Sequence, residues 1–145
     1  MALCAVLALS GCHRGSQSSA AGDGSTVPVR LKFELRQRPA VGQPLPIDLA
    51  VVPLAAADAA TVDVADSTDF RVAAGDREFD VGTMVPNTVY RHRISVTPAD
   101  GGGVLQLDVS VTLRRDEITE VRRFTVPIIV DAGGEDGAAS APARK

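Results

Sequence analysis

The stretch "VLQLDVSVTL", residues 104–113, constrains the fold more than any other part of the chain. Leu105, Leu107, Val109, Val111 and Leu113 alternate there with Gln106, Asp108, Ser110 and Thr112. A period of two places every apolar side chain on one face of an extended strand, so the segment reads as a half-buried strand. The same alternation recurs along the chain. "VRLKFELR" sets Leu31, Phe33 and Leu35 against Arg30, Lys32, Glu34 and Arg36, and "RPAVGQP" follows with Pro and Gly to turn the chain. "PIDLAVVP" carries Ile47, Leu49 and Val51 on one face, "VYRHRISVTP" alternates from Val89 to Pro98, and "RRFTVPIIV" groups Phe124, Val126, Ile128 and Val130.

Between residues 53 and 82 the pattern is weaker. "TVDVA", "DFRVAAGD" and "REFDVG" are short segments broken by Gly and Asp. No stretch within 27–131 sustains a helical period, and the alanine-rich "PLAAADAATV" is expected to give at most one turn of helix between two strands. About seven short strands separated by Gly, Pro and Asp predict an all-β antiparallel sandwich, with a barrel as the alternative. Asp100-Gly101-Gly102-Gly103, between two strongly alternating segments, reads as a hairpin connection. It is no phosphate loop, because neither a helix nor the Lys and Ser/Thr of such a loop follows.

The stretch "DVGTMVPNTVYRHRISVTPADGGGVLQLDVSV" resembles bacterial immunoglobulin-like modules of the fibronectin III and CARDB-like kinds. Gly82, Pro86, Tyr90, Pro98 and Gly101 to Gly103 carry the likeness: a glycine, a proline-containing turn, a tyrosine opening a strand, then a glycine turn into the next. The resemblance covers about half the domain and implies an immunoglobulin-like antiparallel β-sandwich. It further implies that Tyr90 caps a nearby backbone group with its hydroxyl, as a tyrosine corner does.

The N-terminal text is of another kind. "MALCAVLAL" is an apolar run of signal-peptide length, too short to span a bilayer. Leu9-Ser10-Gly11-Cys12 follows and resembles the lipobox of bacterial lipoproteins. That likeness implies cleavage between Gly11 and Cys12, a diacylglycerol thioether on the Cys12 sulfur, and an acyl chain such as palmitate on the new N-terminus. Cys4, the second cysteine, lies before any folded segment, which leaves a structural disulfide little to staple. No Lys or Arg precedes Cys12, so residues 1–11 are expected to be a signal peptide truncated at its start. Residues 12–26, rich in Ser, Gly and Ala, read as a flexible tether reaching about 20 Å. The sandwich is expected over 27–131, and "DAGGEDGAASAPARK" beyond it as a disordered tail spanning 132–145. The expected location is the bacterial cell envelope, lipid-anchored. His13, rather than Asp, follows the cysteine, which favours the outer membrane, facing the periplasm, in a Gram-negative host.

Little in the sequence announces chemistry. The two histidines, His13 and His92, are far apart; His13 lies on the tether and His92 shares strand parity with Tyr90, Ile94 and Val96. No G-x-S-x-G nucleophile elbow is present, so no catalytic residue and no cofactor is predicted. Asp58, Asp63, Asp66 and Asp69 offer oxygen ligands, but their spacing matches no EF-hand and the expected state is solvated loop carboxylates with no metal. Aromatic residues are only 3% and the net charge is −3, which disfavours a stacking platform for sugars or single strands and leaves no nucleic-acid partner predicted.

The one suggestive pattern is basic. Arg30, Lys32 and Arg36 share the outward parity of the first strand, and Arg91 and Arg93 that of "YRHRISV". In an immunoglobulin-like topology both strands belong to one sheet, with "PIDLAVV" between them. Such a face suits an anionic partner, whether lipid head groups or an acidic protein. Its commoner use is local ion pairing in solvent, for which Glu34 and Asp48 are at hand. Arg114, Arg115, Arg122 and Arg123 flank "DEITE", where pairing across hairpin ends is expected. The function expected is a non-enzymatic envelope module, anchored to the membrane and binding another envelope protein or polymer. The alternative is a ligand- or ion-binding lipoprotein using the Asp-rich loops.

Overall fold

A computed structural model describes residues 18–22, 27–99 and 101–132. Two two-residue strands come first, β1 (Ser18–Ser19) and β2 (Ala21–Gly22). The main strands are β3 (Val29–Leu35), β4 (Leu45–Pro53), β5 (Ala59–Val64), β6 (Phe70–Val72), β7 (Glu78–Asp80), β8 (Tyr90–Pro98), β9 (Gly103–Arg115) and β10 (Ile118–Val130). They form two antiparallel sheets with orders β1-β3-β4-β8-β6 and β2-β10-β9-β5-β7.

This is the expected sandwich, and the strand order is immunoglobulin-like. A constant-type domain runs ABED on one sheet and GFC on the other. Here β3, β4, β8 and β6 take the first order and β10, β9 and β5 the second. β7 adds a strand beside β5, so among the described residues eight principal strands stand where about seven were expected. The inward faces meet in one core. Leu31, Ile47, Leu49, Ile94 and Val96 come from the first sheet; Val62, Leu107, Val109, Val111, Val126 and Ile128 come from the second, all nearly inaccessible. Each such side chain contributes about 1.5–3 kcal/mol by leaving water.

Three expectations are corrected. The alanine-rich segment makes no helical turn: Ala57 forms a bridge with Met84 and Ala60 is a core residue of β5, so burial overrides alanine's helix preference. The only helical turn among the described residues is a 3₁₀ turn at Ala74–Asp76. The glycines at 101–103 do not close a hairpin, because β8 and β9 lie in different sheets. They carry the chain across the sandwich end, with φ values of 114, 58 and 90 that side-chain-bearing residues rarely adopt. Gly102 also packs so closely that a Cβ there would sit 2.6 Å from Ala132 Cα.

The third correction concerns the tether. Ser18 and Ser19 pair with Phe33 and Lys32, and Ala21 and Gly22 pair with Thr125 and Phe124. Five residues assigned to the tether, 18–22, thus strap one side of the sandwich and touch both sheets. Backbone pairing asks little of side chains, which is why a Ser/Ala/Gly composition does not reveal it. Cys12, Gly11 and the rest of the signal segment lie outside the described residues, as does the tail from 133 onward.

Candidate functional site: the outer face of the first sheet

The register places the predicted basic residues together. β3 and β8 flank β4, with Lys32 opposite Ala50 and Ala50 opposite Arg91, and one step along, Glu34 opposite Asp48 and Asp48 opposite Arg93. Arg30 stands opposite Val52. Strand parity therefore puts Arg30, Lys32, Arg91 and Arg93 on one outward surface, with Arg36 just beyond β3 on the same side.

The face divides into a satisfied half and an unsatisfied half. Asp48, at 8% exposure, is the only buried charged residue among those described. Arg93 Nε donates to its Oδ1 at 2.7 Å, Arg36 Nε donates to its Oδ2 at 2.6 Å, and Arg36 Nη2 bonds the same oxygen. Arg36 also lies 3.6 Å from Glu34. The hydrogen bond from Arg93, then that from Arg36, outweigh the cost of burial and hold the Asp48 carboxyl at about 2, well below its ordinary value. Reciprocally, Asp48 keeps Arg93 charged. Arg36 and Arg93 are thus a clamp across three strands.

Arg30, Lys32 and Arg91 have no such partner among the described residues. Between them Ala50 and Val52 are buried at 4% and 9% although they face outward. The aliphatic stems of flanking Lys and Arg side chains are long enough to close over such short neighbours while their charges stay in water. Beside this half, Leu54, Val85 and Val89 expose 40%, 58% and 46% of their surface. Asn87, at φ 61, folds the 85–89 turn back so that its N–H donates to the Pro53 carbonyl at 2.7 Å. An apolar corner therefore adjoins the unpaired cations. Its three residues are separated in sequence, and of them only Val89 belongs to an alternating segment, so sequence reading did not bring them together.

The remaining candidates are dispersed. Tyr90 opens β8 and its hydroxyl accepts the Val85 N–H at 2.8 Å, the corner bond expected of it, though at the E position rather than F. His92 is half-buried and stacks on Phe79 of the other sheet, centroids 3.8 Å apart at 18°. The adjoining cleft of about 180 Å³ is lined by Phe79, Asp80, Val81, Tyr90, Arg91 and His92, a set with no Ser, Thr or Cys to act as nucleophile. Asp58, Asp66 and Asp69 accept backbone N–H groups of Asp116, Val72 and Gln106, and Asp66 also pairs with Arg77. Asp63 faces outward on β5. Among the described residues no three acidic, His or Cys side chains gather as a metal site. Near the β9–β10 turn Arg115 pairs with Glu120 as expected, whereas Arg122 turns inward and donates to the Val27 and Val29 carbonyls at 2.9 Å each.

No helix among the described residues is long and apolar enough to cross a membrane. Comparison with known protein families finds no match, and comparison with curated proteins finds none either.

Proposed function

We propose that the chain is a non-enzymatic envelope lipoprotein, anchored through Cys12, that serves as a protein-binding or assembly module. The observation that carries this reading is the order of segments: an apolar run, Leu9-Ser10-Gly11-Cys12, a Ser/Gly/Ala stretch, then a β-sandwich. A thiol after two small residues is the acceptor that lipoprotein processing uses, and several acyl chains hold a protein at a bilayer far more firmly than one. Sandwich faces and loops are common places for binding a partner, and an anchor confines the search for it to the membrane plane. The ion-binding alternative has less support, because three of its four aspartates already accept backbone N–H groups.

The test is metabolic labelling of host cells with an alkyne palmitate analogue, followed by crosslinking and mass spectrometry, on the natural chain and Cys12→Ser. Label on the natural chain alone, with one dominant partner captured only in that form, is the expected result. Unlabelled natural protein ends the lipoprotein reading, and labelled protein that captures no specific partner ends the assembly reading.

A further inference from the structure

We infer that the outer face of the β3-β4-β8-β6 sheet rests on anionic phospholipid head groups, so that the domain lies flat on the membrane rather than standing off it. The inference builds on the lipoprotein reading above and adds an orientation and a ligand class to it.

The two outer faces of the sandwich differ in charge. Among the described residues, Arg30, Lys32, Arg36, Arg71, Arg91 and Arg93 share the outer side of this sheet with two strand carboxylates, Glu34 and Asp48, and Asp76 at the β8 edge already accepts the Ser95 N–H. On the outer side of the other sheet, Asp63, Glu78, Asp80 and Asp108 outnumber Arg114 and Arg123. The chain as a whole is acidic, at −3, so the positive face is a local arrangement and not a consequence of net charge. An anionic surface attracts one side of this domain and repels the other.

Arg30, Lys32 and Arg91 have no side-chain partner among the described residues, and the exposed Leu54, Val85 and Val89 lie at their end of the sheet. Interfacial binding combines shallow apolar insertion with electrostatic attraction, and this corner offers both.

Ser18 and Ser19 run along the edge of this same sheet, paired with β3. Cys12 is six residues upstream of Ser18, and a fully extended chain of that length covers only about 20–22 Å. Acyl chains at Cys12 therefore keep this edge of the sandwich, where β1 pairs with β3 and β2 with β10, close to the head groups, and the charge difference between the two outer faces turns the β3-β4-β8-β6 sheet toward them.

The test uses the full-length Cys12→Ser chain, which cannot be acylated there, with vesicles of phosphatidylcholine alone or mixed with phosphatidylglycerol. Cosedimentation is expected with the mixed vesicles only, and to disappear at high salt. Arg30→Gln, Lys32→Gln and Arg91→Gln are each expected to lower partitioning about fivefold. Arg114→Gln, the same charge change on the opposite face, is expected to leave it unchanged. Arg30, Arg91 and Arg114 are exposed and Lys32 is half-buried, and a thermal melt of each variant checks that it stays folded. Equal losses for Lys32→Gln and Arg114→Gln, equal binding to both vesicle types, or no binding at low salt overturns the inference. So does capture by soluble polyglutamate without vesicle binding, which assigns the face to an acidic protein instead. Because no acyl chain is present in this assay, its failure leaves palmitate labelling of Cys12 as an independent result, and absence of that label leaves the face's lipid affinity readable.

Discussion

Replacing Asp48 by Asn removes one charge from the centre of the Arg36–Asp48–Arg93 clamp and almost no volume. The carboxyl titrates at about 2 in the folded chain against an ordinary 3.8. At 1.36 kcal/mol per unit the difference corresponds to about 2 kcal/mol. The arginine side chains are 44% and 64% exposed, so solvent screening reduces the figure to roughly 1–2 kcal/mol. The folded value is depressed, so this stabilisation is complete above about pH 5 and is lost as pH falls through the folded value. Asp48→Asn should therefore be less stable by roughly 1–2 kcal/mol at neutral pH, by about half that near pH 3, and by almost nothing near pH 2. Urea unfolding of both chains across that range, extrapolated to water, measures the difference directly. A neutral-pH deficit that persists undiminished near pH 2 refutes the argument, since it would show that the amide disturbs packing rather than charge pairing.

Arg122→Ala removes both hydrogen bonds to the Val27 and Val29 carbonyls and the guanidinium lying 5.1 Å over the Phe124 ring. A loss of about 1.5–3 kcal/mol is expected, with amide exchange at Ser19 to Gly22 accelerating more than in β9, because Gly22 packs on this side chain. Gly102→Ala forces a Cβ into the Ala132 backbone at a positive φ, and calorimetry should show a lowered Tm corresponding to at least about 1 kcal/mol; an unchanged Tm would show that the crossing between sheets is slack.

Much of the fold was legible because the core is built from strict alternation. β3, β4, β8, β9 and β10 each announce their inward face, and "VLQLDVSVTL" does so over its whole length. What alternation does not encode is partnership. β8 and β9 read as an obvious hairpin, yet they face each other across the core instead of sharing hydrogen bonds, and nothing within either strand distinguishes the two arrangements. The strap at residues 18–22 was invisible for a related reason: its contribution is backbone pairing, which Ser, Ala and Gly supply without a pattern.

The candidate face shows the same division. That Arg30, Lys32, Arg91 and Arg93 share a surface follows from parity, which is readable from the chain, together with the strand order that the immunoglobulin-like resemblance implies. Which of them are already spent does not, because that depends on register. Asp48 stands opposite Arg93, and Ala50 stands opposite Arg91. A slip of two residues between β4 and β8 would keep every apolar side chain inside and yet exchange the paired arginine for the free one. The clamp around Asp48 therefore consumes Arg36 and Arg93 and leaves Arg30, Lys32 and Arg91, which have no side-chain partner among the described residues, at the end of the sheet where Leu54, Val85 and Val89 are exposed. Had the register been the slipped one, Asp48 would face Arg91 and the uncommitted charge would lie at the other end, so the surface on which a lipid orientation rests is a product of the register.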